Sequence, residues 1–126
     1  MVDQEKAAEF LASAGMYLAC ADGKVDPVEK EVLKSALLNL NAEPDKYLYF
    51  KDWDTHEKRM LAICSYFAKS DLFTKSFLFG LVSGVAICDG VLHENEKKSL
   101  YKTAELLELD EEVVDEILKM LLGYLS

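Results

Sequence analysis

Apolar residues recur at three- and four-residue intervals along almost the whole chain, and no segment alternates with period two. This excludes a sheet-based architecture and predicts an all-α domain. The chain has only two prolines, Pro27 and Pro44, each placed where a helix can begin. Seven helices are expected, joined by short connections. The first runs from about Asp3 to Ala21, and the second follows Asp26 to about Leu40. A short third follows Pro44, and the fourth follows Asp54, which has capping-box spacing to Glu57. The fifth is the apolar run Leu72 to Cys88, the sixth spans about Glu94 to Glu108, and the last follows Asp110 to about Leu125. The fifth, interrupted by Lys75 and Ser76, is too short to span a bilayer and reads as a central helix buried on most sides. At 126 residues the chain has enough surface to bury for one core, so residues 1–126 are expected to form a single domain.

A shift of 67 residues carries Asp22-Gly23 onto Asp89-Gly90, and with them Ala19 onto Ala86, Glu29 onto Glu96, Lys30 onto Lys97, Leu33 onto Leu100 and Leu40 onto Leu107. Between residues 18 and 43 this makes seven identities in 26 positions, where unrelated sequence gives about two. The matches fall at a helix end, a turn, a helix start and a helix face. They predict an internal repeat, 16–43 and 83–110, folded as two helix-turn-helix halves about a pseudo-twofold axis.

Each half carries A-x-x-D-G-x-[VL]-x-x-x-E, Ala19 to Glu29 and Ala86 to Glu96. Capping explains much of it. Gly23 and Gly90 suit the left-handed residue that ends a helix. Asp26 caps the next helix, Pro27 fits its first position and Glu29 closes a capping box. In the second copy His93 is a poorer cap, and Glu96 keeps its place.

Capping leaves Asp22 and Asp89 over, because an acid at a helix C-terminus opposes the helix dipole. Aspartate, glycine, aliphatic residue and closing glutamate match the second half of an EF-hand loop. The first half is missing, since Leu18 and Cys20, then Val85 and Ile87, stand where oxygen ligands are needed. A normal EF-hand is therefore excluded. If the twofold joins the turns, Asp22, Glu29, Asp89 and Glu96 form a four-carboxylate cluster that favours a divalent cation, calcium or another. Asp26, His93 and Glu94 are auxiliaries.

ACADGKVDPVEKEVL and AICDGVLHENEKKSL, with the closing LLELDEEVVDEILKML, resemble the TerB-like domains of tellurite-resistance proteins. Related domains occur at the N-terminus of membrane-anchored DnaJ-like co-chaperones. The resemblance covers nearly the whole chain. It implies a seven-helix pseudo-symmetric fold, a role in stress response, peripheral association with a membrane complex, and an acidic centre for a divalent metal at Asp22, Glu29, Asp89 and Glu96. The second copy departs from the family's Ala-Asp-Gly with Cys88-Asp89-Gly90, and has His93 where the first has Asp26.

Other features are weaker. The net charge of −9 excludes a nucleic-acid binder and suits cations or basic partners. Cys20, Cys64 and Cys88 lack a CxxC pair and read as core residues of a cytoplasmic protein; the acidic N-terminus does not resemble a signal peptide. Ser76, Gly80, Gly84 and Cys88 form a small-residue stripe expected to pack against Ala8, Ala12, Gly15 and Ala19 of the first helix. Tyr47, Tyr49, Phe50 and Trp53 are expected to cover one end of the core. No nucleophile, phosphate loop or catalytic base is identifiable, so no enzymatic activity and no catalytic residue is expected. The alternative to the metal-binding module is a helical protein–protein interaction module with structural turns, functioning through an acidic or aromatic surface.

Overall fold

The computed structural model describes residues 4–19, 27–47, 53–87 and 94–125. They form seven helices: α1 (Gln4–Ala19), α2 (Pro27–Asn39), α3 (Pro44–Tyr47), α4 (Trp53–Phe67), α5 (Leu72–Ala86), α6 (Glu94–Leu106) and α7 (Glu111–Leu125). The fold is all-α, with no strand among the described residues. Pro27 and Pro44 each occupy a first helical position, where the missing N–H costs no hydrogen bond. Asp54 lies within α4, whose first described residue is Trp53, instead of preceding it as a cap. Asp71 caps α5, its carboxylate accepting from the Thr74 N–H at 2.7 Å. That bond holds the Asp71 carboxyl below its ordinary range.

The 67-residue shift reappears in local structure. It carries the end of α2, Asn39, onto the end of α6, Leu106. Both α2 and α6 close with the same motif. Asn41 (φ 59°) and Glu108 (φ 57°), 67 residues apart, are left-handed. The Asn41 N–H bonds the Leu38 carbonyl and the Ala42 N–H that of Leu37; Glu108 bonds Glu105 and Leu109 bonds Ala104 in the same way. These are paired Schellman closures. Ala42 and Leu109, the residues after the left-handed ones, are both buried.

The core is organised around α1, which packs against α2, α3, α4, α5 and α6. Phe10, Leu11, Met16 and Leu18 are fully or almost fully buried, surrounded in the core by Leu33 and Leu37 of α2, Met60, Cys64 and Phe67 of α4, Leu78, Phe79 and Val82 of α5, and Leu100 of α6. α7 closes against α5 and α6 through an apolar face that includes Val114 and Leu118. Its opposite face carries exposed Glu111, Glu112, Asp115 and Glu116.

Two expectations are corrected here. α1, not α5, is the central helix: α5 leaves Leu72, Phe73 and Phe77 exposed. The small-residue stripe does not mediate close packing either. A Cβ at Gly80 or Gly84 would meet nothing within 4 Å, whereas one at Gly15 would lie 2.8 Å from Leu33 Cδ1 of α2. α5 contacts its neighbours through the opposite face, Leu78, Phe79, Val82, Ser83, Val85 and Ala86. No helix among the described residues is long and apolar enough to cross a membrane.

Candidate functional site

The repeated turns precede α2 and α6. Asp22 and Asp89 lie outside the described residues, as do Asp26 and His93. Glu29 is the third residue of α2 and Glu96 the third of α6, the position a capping-box glutamate occupies. The Glu29 side chain is outside the described set. Glu96 is described, and it is 2% exposed. Glu94, two residues earlier, is exposed. Glu96 sits on the inner face of α6 with Ser99, Leu100 and Thr103. A carboxylate removed from water needs hydrogen bonds or positive charge to stay ionised. Among the described residues, no three His, Cys, Asp or Glu side chains are grouped so as to hold a metal ion. One of the four predicted ligands, Glu96, is thus placed with its side chain, in a buried position; Glu29 is placed by its backbone alone, and Asp22 and Asp89 fall outside the described residues.

Cys64 is buried, and desolvation pushes its thiol up to about 12. A thiol so hard to ionise is a core residue and not a nucleophile. Cys20 and Cys88 lie outside the described residues. Within the aromatic group, Tyr47 is half-buried against the core, with the Lys46 ammonium 5.8 Å from its ring centroid. Tyr49 and Phe50, and the Trp53 side chain, are outside the described set.

The structure also assembles two features that were not singled out in the sequence. The first links α1, α3 and α4. Arg59, the chain's single arginine, donates from Nε to Glu9 Oε1 at 3.2 Å and from Nη2 to the Tyr47 carbonyl at 3.1 Å. Ser13 donates to the same Glu9 oxygen at 3.3 Å. Beside this network the Lys6 ammonium stands 5.1 Å from the Tyr66 ring centroid. A half-buried arginine whose fork is divided between a carboxylate and a backbone carbonyl fixes the relative position of three helices, which accounts for it structurally. In sequence, Glu9 and Arg59 are 50 positions apart, and neither breaks its helix's pattern.

The second feature joins α6 to α7. Tyr101 donates its hydroxyl to Asp115. That bond, chiefly, raises the tyrosine to about 12, because losing the proton would set phenolate against carboxylate. Tyr101 also flanks a shallow cleft with Glu94, Lys97, Lys98, Lys102 and Glu105, whose mixed charges mark no ligand.

No family model matches the sequence, and no curated protein or solved structure matches it.

Proposed function

We propose that this chain is a non-enzymatic, TerB-like stress-response module that holds a divalent cation with Asp22, Glu29, Asp89 and Glu96. This reading takes the two helix pairs to be related by a twofold that brings their turns together. The observation that carries it is the burial of Glu96, where a carboxylate needs hydrogen bonds or positive charge to stay ionised. Its counterpart Glu29 holds the same third position in α2. Four carboxylates are hard oxygen donors, which match calcium, magnesium or manganese better than softer metals. A cation bound there would offset their mutual repulsion.

Calorimetric titration and thermal melting with calcium, magnesium, manganese and zinc test the reading. Wild-type chain is expected to release or absorb heat and melt higher with at least one of these metals. The Asp22→Asn/Asp89→Asn double variant is expected to lose both responses. Absence of heat and of a melting shift with every metal sinks the cation reading; binding that survives in the double variant sinks the residue assignment.

A second reading is favoured by a different observation. The outer face of α5 is apolar and open, which suits a helical interaction module whose turns are purely structural.

A further inference from the structure

The open face of α5 has a counterpart inside the same molecule. On α1, Lys6, Glu9 and Phe10 meet Tyr66, Arg59 and Phe67 of α4, and Ser13 bonds Glu9. Adding 67 to these positions gives Phe73, Ser76, Phe77 and Gly80. The face that α4 covers on α1 is therefore the face that α5 leaves open, with Phe73 78% and Phe77 43% exposed. Three of its four positions are also more apolar than their counterparts: Lys6 becomes Phe73, Glu9 becomes Ser76, and Ser13 becomes Gly80. The internal comparison identifies the shape that fits here as a helix.

We propose that the occupant is α5 of a second copy of this chain, packed antiparallel across a twofold axis. Phe73, Phe77, Gly80 and Gly84 lie on one stripe of the helix. The pair Phe77 and Gly80 and the pair Phe73 and Gly84 share one midpoint, between residues 78 and 79. An antiparallel α5 centred there sets each phenyl ring over a glycine of the other copy, at the two positions where a Cβ has open space. A twofold interface must be self-complementary in this way. Charge opposes self-association least at this face. Two chains of net charge −9 repel, and α5 brings no acid to the contact. Its one charge, Lys75, is half-buried and donates to the Glu108 carbonyl at 3.2 Å. One helix pair is at the small end of specific interfaces, so the dimer is a weak, reversible one that tightens as salt screens the net charge.

This inference deepens the interaction-module reading and is independent of the cation site. Sedimentation velocity in chelator-containing buffer, from micromolar to millimolar chain, tests it with two variants. Wild type is expected to pass from monomer to dimer with concentration. Phe77→Glu is expected to remain monomeric, with a dilute-solution melting temperature within a few degrees of wild type. Gly80→Ala/Gly84→Ala is expected to melt higher when dilute, because alanine favours helix, yet to need at least about tenfold more chain to dimerise. A purely structural role for these glycines moves the melting alone. A wild-type chain monomeric throughout overturns the proposal. So does a Phe77→Glu chain that still dimerises, or a double-alanine chain that dimerises as wild type does.

Discussion

α1 and α5 are helices of similar length that pack against each other, yet they have opposite situations. α1 (QEKAAEFLASAGMYLA) carries Glu5, Lys6 and Glu9 and is the packed centre of the fold. α5 (LFTKSFLFGLVSGVA) carries one charge and leaves two phenylalanines in water. The difference comes from α4, which lies on α1 and meets its charged residues with Arg59 and Tyr66. Burial is a property of what packs against a helix, and a helix's own apolarity is a poor guide to it.

The sharpest test of this contrast exchanges matched aromatics. Phe10 is fully buried, in edge contact with Phe67 at a centroid distance of 6.1 Å. Phe10→Ala is expected to cost about 3–5 kcal/mol, because little around it can collapse into the space. Phe77→Ala, measured in dilute solution, is expected to cost about 1 kcal/mol or less. Equal losses in chemical denaturation would show that the two helices are alike after all.

Glycines give a smaller effect of opposite sign. At Gly15 a new methyl group would press on Leu33, itself fully buried. Gly15→Ala is expected to destabilise by about 1 kcal/mol even after the gain in helix propensity. At Gly84 nothing opposes the methyl group, so Gly84→Ala is expected to stabilise by up to about 1 kcal/mol. Paired denaturation curves that moved in the same direction would contradict the packing assigned to these faces.

The smallest effect concerns what the halves share. Glu108 and Asn41 are both left-handed, a conformation that asparagine adopts at less cost than glutamate. Glu108→Gly is expected to raise stability by a few tenths of a kcal/mol, and Asn41→Gly to leave it nearly unchanged, since glycine's gain in backbone fit is offset by its unfolded-state entropy. Melting curves of the two variants check this.

Much of the architecture was legible because it is written in local chemistry. Pro27 and Pro44 mark helix starts, and α7 announces its buried face through Val114 and Leu118 and its wet one through Glu111, Glu112, Asp115 and Glu116. The 67-residue shift that pairs Asp22-Gly23 with Asp89-Gly90 also carries the end of α2 onto the end of α6. At the candidate metal site, sequence could pair Glu29 with Glu96 by position. It could not show that Glu96 is buried, because a capping-box glutamate has the same spacing whether its carboxylate points to water or to the core. Nor could it find the Glu9–Arg59 bond, whose partners meet only when α4 is laid across α1.

The division follows from range. Helix periodicity, caps and turns depend on residues within about one or two turns of each other, so the chain alone determines the seven helices and the matched closures of α2 and α6. Which apolar face is covered depends on helices far apart in sequence competing to pack. Only the tertiary structure decides that α1 receives α4, that Gly15 receives Leu33, and that Phe73, Phe77, Gly80 and Gly84 remain an open surface.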